Sequence, residues 1–350
     1  MTLDAPRAVR AGEELDLARL AQWMRAQGLP AEGLSQEQFA KGHSNLTYLI
    51  RAGGRELVLR RPPFGSKVRS AHDMGREARI LLQLHPVFRL APEVVAVCDD
   101  PAVLGAPFYL MRRFDGLILR GPEPRGVTIG PEQAHGIGLS FARTLAALHA
   151  VDFAAAGLTG KPEGYVRRQV EGWTRRWQDA RTEDVPDVEE IARWLAERIP
   201  AETGAAFIHN DFKYDNLVLD PGDPTRVVGV LDWEMSTVGD PLMDLGTALG
   251  YWVEEGDPEP LKAFAFGPTF LPGSLTRAQV VEEYARAAGR ELPPMLFYSC
   301  FALFKTAVVA QQIYKRYVEG LTHDERFAGF GFGVQLLARS AVEAAGRGTF

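Results

Sequence analysis

The stretch Phe207-Ile-His-Asn-Asp-Phe-Lys-Tyr-Asp-Asn-Leu-Val-Leu219 decides how the chain reads. Two short apolar runs, Phe207-Ile208 and Leu217-Val218-Leu219, flank a polar loop. The loop holds His209, Asp211, Lys213 and Asn216 in the spacing H-x-D-x-K-x-x-N. Further on, Asp232 ends another apolar run, Val228-Gly-Val-Leu. These residue types suit phosphoryl transfer from ATP. The transition state of that reaction is loose, so catalysis is mostly positioning and charge neutralisation. One carboxylate must accept the proton of the attacking hydroxyl, which suits Asp211. Mg²⁺ keeps several waters and takes few oxygens from a protein. Asn216 and Asp232, placed by a tight hairpin, can supply those oxygens. Lys213 lies two residues past the base, on the same side of an extended loop, and can neutralise the transferring group. His209 fits a buried organiser of the loop better than a proton carrier.

Outward from this loop the sequence is mainly helical. Apolar periodicity predicts helices over 131–150, 165–181, 188–199, 241–252, 278–288, 295–317 and 326–345. The β-like runs 207–208, 217–219 and 227–231 form one small island among them. Before residue 113 the pattern changes. Strands are expected over 34–41, 46–51, 56–60, 93–98 and 108–114, with helices near 13–27 and 69–84. Ala52-Gly53-Gly54 is a good hairpin turn. The division that follows is 1–113, a β-rich nucleotide-binding part, and 114–350, carrying the catalytic loop, the metal site and the acceptor site.

Composition narrows the classes. The chain has 350 residues, 46% hydrophobic and 24% charged, which excludes disorder, collagen and coiled coil. Its two cysteines exclude a disulfide framework. The net charge of −6 argues against nucleic acid as partner. No run approaches the ~18 apolar residues of a membrane span, and the start lacks a signal-peptide core. The expectation is a cytoplasmic protein with no membrane partner. Residues 1–112 carry net +3 and the remainder −9. No G-x-x-x-x-G-K-[ST], G-x-S-x-G or H-E-x-x-H occurs.

The loop resembles the catalytic loop of the aminoglycoside phosphotransferase family, a branch of the protein-kinase-like fold. His209, Asp211 and Asn216 match that loop, and Asp232 matches the family's metal-binding aspartate. Gly239-Asp240-Pro241 with Asp244-Leu245 matches the G-D-P-x-x-D-L segment that follows it. The resemblance implies an α+β, two-lobed fold: a small β-rich N-lobe and a larger, mostly helical C-lobe with a small β island. Asp240 and Asp244 then brace the loop and cap the next helix. Gly42-His43-Ser44-Asn45 occupies the nucleotide loop, with Gly42, Ser44 and Asn45 near the phosphates. Arg60 sits where the phosphate-binding lysine of V-A-I-K would be, Arg61 is its rival, and Glu77 is the helix partner. Met111-Arg112-Arg113-Phe114 would be the hinge, where Met111, Arg112 and Phe114 meet adenine.

Leu59-Arg-Arg-Pro-Pro-Phe-Gly65, Ser70-Ala-His72 and Trp233-Glu-Met resemble a subgroup, the kinase-like domains associated with acyl-CoA dehydrogenases. That implies a hydroxyl acceptor such as a hydroxyacyl-CoA. The expected activity is transfer of the γ-phosphoryl group of ATP, with Mg²⁺, to a small-molecule hydroxyl. An aminoglycoside phosphotransferase, a protein kinase and a nucleotide-binding scaffold without turnover are the alternatives. The acidic loop Glu254-Glu255, Asp257 and Glu259 is the one candidate for receiving a cationic acceptor. Oligomeric state is not legible.

Overall fold

The computed structural model describes residues 6–39, 45–64, 74–121, 126–263, 265–322 and 324–349. In chain order the elements are α1 (Leu17–Ala26), β1 (Ser35–Gln38), β2 (Leu46–Ala52), β3 (Arg55–Arg61), α2 (Met74–Leu84), β4 (Val94–Cys98), α3 (Pro101–Leu104) and β5 (Phe108–Arg112). Then come α4 (Pro131–His149), α5 (Tyr165–Ala180), α6 (Pro186–Glu197), β6 (Ala206–Ile208), β7 (Leu217–Leu219), β8 (Val227–Val230), β9 (Thr237–Gly239) and α7 (Pro241–Gly250). The chain closes with α8 (Glu259–Ala263), α9 (Arg277–Ala288), α10 (Leu296–Val318) and α11 (Phe330–Arg347). It divides into two compact units. One comprises Met1–Leu119, Arg125–Val127 and Asp215–Glu234; the other comprises Arg120–Pro124, Thr128–Tyr214 and Met235–Phe350.

The first unit is built on an antiparallel sheet in the order β1-β2-β3-β5-β4. Gly53 and Gly54 close the β2–β3 hairpin with φ of +55° and +72°. Both residues of such a tight turn need positive φ, which glycine takes without steric cost. Alternation along the strands then sorts the two faces. Leu57 and Leu59, with Tyr48, Ile50, Phe108 and Leu110, pack on Leu20 and Met24 of α1. Arg60 and Val58 face the other way, opposite Tyr109 and Met111. On α2 the buried residues Met74, Glu77, Ala78, Leu81 and Leu84 recur at helical spacing.

The β7–β8 hairpin belongs to this unit. Its backbone pairs with the segment after β5: Leu117 and Leu219 exchange two 2.8 Å hydrogen bonds. A Cβ at Gly116 would lie 2.4 Å from Val218 and one at Gly229 would lie 2.6 Å from the Phe114 ring. Both glycines are there because another group occupies the space of a side chain.

The second unit is helical around the two-stranded sheet β6–β9, paired Phe207↔Val238 and Ile208↔Thr237. The sequence led us to expect one β island. There are two, because β6 pairs with β9, a strand the sequence did not reveal, while β7 pairs with β8. Three-residue strands are too short to carry a legible period. The short helices α3 and α8 were likewise not expected. Of the helix expected over 69–84, the described part is Met74–Leu84.

Helix α10 has 23 residues and a mean hydropathy of 1.3 over its most apolar window, long and apolar enough by composition to cross a membrane. That exceeds what the sequence reading allowed for. Yet 61% of the window is buried inside the protein, against α5, α6, α7 and α11. Gly246 and Gly250, one turn apart on α7, let α10 come close. Side chains there would meet Tyr298 and Ala302 at 2.6 Å.

Candidate active site

The first unit gathers five of its charged and polar side chains around Arg60. Arg60 Nη1 donates to Glu77 Oε1 at 2.5 Å, and Nη2 donates to Asp232 Oδ1 at 3.0 Å and Glu234 Oε2 at 3.1 Å. Asn45 Nδ2 donates to the same Glu234 oxygen at 2.9 Å. Tyr109 stands directly across the ladder from Arg60 and interacts with Glu77 and Arg60. Burial works against the guanidinium charge, but Glu77 first, then Asp232 and Glu234, outweigh it and hold its pKa well above the ordinary value. Arg60 is therefore a permanent, oriented cation whose forked geometry suits phosphate oxygens.

Arg61 lies one residue on and faces the opposite side of the sheet. It is buried, donates to the carbonyls of Leu104 and Pro62, and stacks on Phe64 at 3.6 Å. It is a packing residue.

Asn216 and Asp232 come from the open end of the β7–β8 hairpin. Leu217 pairs with Val230, and the Asn216 carbonyl accepts the Leu231 amide at 2.8 Å. Asp232, one residue further, has φ of +67°. It departs from the strand there, as a residue held in a costly conformation at a functional site often does. Trp233 anchors the turn, its indole N–H donating to the Val230 carbonyl at 2.8 Å. Two hard oxygen donors at one hairpin end suit Mg²⁺. Among the described residues no cluster of three or more His, Cys, Asp or Glu forms a metal cage.

The second unit carries the other part of the motif. Lys213 Nζ donates to both oxygens of Asp211, at 2.8 and 3.0 Å. The same ammonium lies 5.0 Å from the Tyr251 ring centre and 4.8 Å from that of Phe266, a cation–π arrangement. Asp244 braces the loop as expected. Its carboxylate accepts the amides of His209 and Asn210, each at 2.7 Å, and contacts His149 Nε2 at 3.0 Å. Burial would raise its pKa, but His149 and His209 hold it below the usual carboxylate range. Asp240 caps α7 through the Leu242 amide and accepts from Thr203. His209 is fully buried and its Nδ1 accepts the Asp211 amide at 3.2 Å, the position of an organiser.

Of the nucleotide residues expected from sequence, Gly42 and Ser44 lie outside the described residues. Asn45, Arg60 and Glu77 are brought together. Met111 shares the sheet face of Arg60, and Phe114 lies over Gly229. Arg112 stands apart. Its amide donates to the Glu93 carbonyl at 2.8 Å, and its side chain pairs with the Glu93 carboxylate on the opposite face. Sequence reasoning passed over Tyr109, Glu234, Asn210 and Lys305. Glu234 stood in a quoted motif, and Lys305 is the single charge in the apolar run 296–314; both were visible signals.

The sequence profile described as "Phosphotransferase enzyme family" matches residues 35–290. The chain belongs to this family of phosphotransferases. It is 36% identical over 291 residues to acyl-CoA dehydrogenase family member 10 of Mus musculus, covering 81% of this chain and 26% of that protein. The chain spans less than half the length of the first curated relatives of this kind. A crystal structure from Ralstonia eutropha, provisionally assigned as an aminoglycoside phosphotransferase, superposes with a TM-score of 0.82 at 31% identity, covering 95% of this chain and 99% of that one. A mutant of aminoglycoside phosphotransferase APH(4)-Ia, solved with AMP-PNP and hygromycin B, shares the fold at 17% identity and a TM-score of 0.57, covering 89% of this chain and 95% of that one. The kinase-like fold expected from the sequence is the observed fold, and the acyl-CoA dehydrogenase association read from its motifs is borne out by the curated relatives.

Proposed function

We propose that this phosphotransferase moves the γ-phosphoryl group of ATP to the hydroxyl of a small anionic acceptor, such as a hydroxyacyl-CoA. The nucleotide assignment rests on Arg60. A buried guanidinium oriented by Glu77, beside Asp232, is what a phosphate clamp requires. In this reading the first unit takes the nucleotide and the second the acceptor. Arg60 binds phosphate oxygens, Met111 and Phe114 flank the base, and Asp211 accepts the acceptor's hydroxyl proton. Lys213 orients the Asp211 carboxylate and brings positive charge to the transferring group. Asn216 and Asp232 would hold Mg²⁺, which neutralises phosphate charge when bound.

The acceptor class rests on the charges near Asp211. Lys213 is paired with it, and Lys305 and Arg176 contribute further positive potential. The acidic loop 254–259, the candidate for receiving a cationic acceptor, is partly offset by two cations. Arg277 pairs with both Glu254 and Asp257, and Lys262 pairs with Glu259. A polycationic aminoglycoside would have to displace those internal partners.

The test is turnover of MgATP by the purified protein with 3-hydroxybutyryl-CoA or kanamycin. The expected result is phosphorylation of the thioester, weakened by added salt as phosphate contacts are screened, with little transfer to kanamycin. Efficient kanamycin phosphorylation at micromolar KM would overturn the acceptor class. Binding of ATP without turnover on any hydroxyl would make the chain a scaffold.

A further inference from the structure

We infer that Lys305 is a positioning residue for Asp211, holding from helix α10 the Asn210–Asp211 peptide that sets the carboxylate's direction. The inference rests on the reading of Asp211 as the proton acceptor.

Asn210 has φ of +65°, and it and Asp232 are the two non-glycine residues with positive φ among the described residues. Asparagine tolerates this left-handed conformation better than most residues, yet it persists only where the surroundings enforce it. Here every polar atom of Asn210 is held. Its amide donates to Asp244 Oδ1 at 2.7 Å, and its carbonyl accepts from Lys305 Nζ at 2.7 Å. Its side chain donates to the Met235 carbonyl and accepts from the Tyr165 hydroxyl, each at 3.0 Å. Three of these contacts fix the residue's near side. Among the described residues Lys305 alone holds the carbonyl, which belongs to the peptide joining Asn210 to Asp211. The other end of that peptide, the Asp211 amide, has a weaker hold, 3.2 Å to His209 Nδ1, so freeing the oxygen lets the peptide tilt about that one contact and carry the Asp211 carboxylate with it.

The choice of residue is informative. Lys305 is 6% exposed and is the single charged residue between Leu296 and Tyr314 of α10. An ammonium in such a place is disfavoured unless something requires it. Burial pulls its pKa down to about 8. Asp211 and Asp244 resist that shift, while Lys213 and Arg176 add to it. Trp173 lies 5.8 Å from the ammonium. The unfolded chain thus binds the Lys305 proton more tightly than the folded one, so the charged group costs stability at neutral pH. Groups kept at such a cost cluster at functional sites.

The experiment measures MgATP hydrolysis, with water as the acceptor, in wild type, Lys305→Met, Lys305→Arg and Asp211→Asn. Lys305→Met should lower kcat tenfold or more, toward the ~10²-fold that misplacement of a catalytic group can cost. The KM for ATP should stay within twofold and the Tm should be unchanged or higher. Lys305→Arg should recover most of the rate. The wild-type rate should fall above about pH 8, where Lys305 loses its charge, and that limb should move upward in Lys305→Arg. A Lys213→Arg control separates the other lysine beside Asp211. If Asp211→Asn is inactive while Lys305→Met keeps its kcat, the positioning role is wrong and the base stands. If Asp211→Asn stays active, the base reading itself fails. A loss in Lys305→Met that comes with a lower Tm and weaker ATP binding, and that arginine does not rescue, makes Lys305 a folding residue and overturns the inference.

Discussion

Arg60 and Glu77 meet at 2.5 Å with side chains only 12% and 3% exposed. Strand β3 and helix α2 are thereby tied by a pair that water barely reaches. Removing one partner of such a pair leaves an uncompensated charge, which costs about 3–5 kcal/mol. The second nitrogen of the guanidinium reaches Asp232 and Glu234. One arginine therefore links the helix, the sheet and the end of the β7–β8 hairpin, all within the first unit.

Arg60→Ala should raise the KM for ATP far more than Arg61→Ala does. Arg61→Ala should mainly lower stability, because its guanidinium donates to backbone carbonyls on the other face. ATP titrations and thermal melts of the two variants separate the roles. The reverse order of KM effects would move the phosphate anchor to Arg61.

Asp232→Ala should sharply weaken the Mg²⁺ dependence of nucleotide binding. It should also release Arg60 from one of its three carboxylate partners. Calorimetric ATP titrations at varied Mg²⁺ would show it. Overlapping curves for wild type and variant would make Asp232 a structural partner of Arg60 alone.

Asp211→Asn should retain the fold and ATP affinity and lose about 10²–10⁴-fold in kcat, the usual contribution of a positioned base. Lys213→Met should lower kcat as well, since it removes both the carboxylate's partner and the positive charge. Near-normal turnover in Asp211→Asn would sink the assignment.

Gly229→Val should destabilise the first unit by about 1–3 kcal/mol, the usual range for overpacking. A Cβ there already overlaps the Phe114 ring. The ring must move, so ATP affinity should fall with the Tm. A variant as stable as wild type would mean that Phe114 relocates without cost.

Asp244 gives a pH signature. Its folded pKa lies below the ordinary carboxylate value. Its stabilising contribution is therefore fully present above the unfolded pKa and is lost as the pH falls through the folded one. Denaturant melts should show stability dropping below roughly pH 4. Asp244→Asn should be less stable at neutral pH and show a shallower acid limb. An unchanged limb would assign the acid sensitivity to other groups.

Local chemistry made much of this protein legible from sequence. The H-x-D-x-K-x-x-N spacing, the Gly53-Gly54 turn and the cap at Asp240 depend on residues within a few positions of one another. So do the helical periods of α4, α5, α9 and α10. Such features survive without knowledge of the rest of the chain. The choice between Arg60 and Arg61 was not legible, because neighbouring strand residues carry the same side chain to opposite faces. The pairing of β3 with β5, and the placing of α2 over one face, put Arg60 and not Arg61 beside Glu77. The pairing of β6 with β9 was equally hidden, since three-residue strands have no period and their partners lie far apart in the chain. Lys305 and Asn210 are 95 residues apart. No spacing rule joins them; the close approach of α7 and α10 at Gly246 and Gly250 does. The sequence by itself determined the chemistry carried by the loop. Tertiary structure decided which buried charges hold that loop in place, because desolvation and pairing are properties of neighbours that only folding supplies.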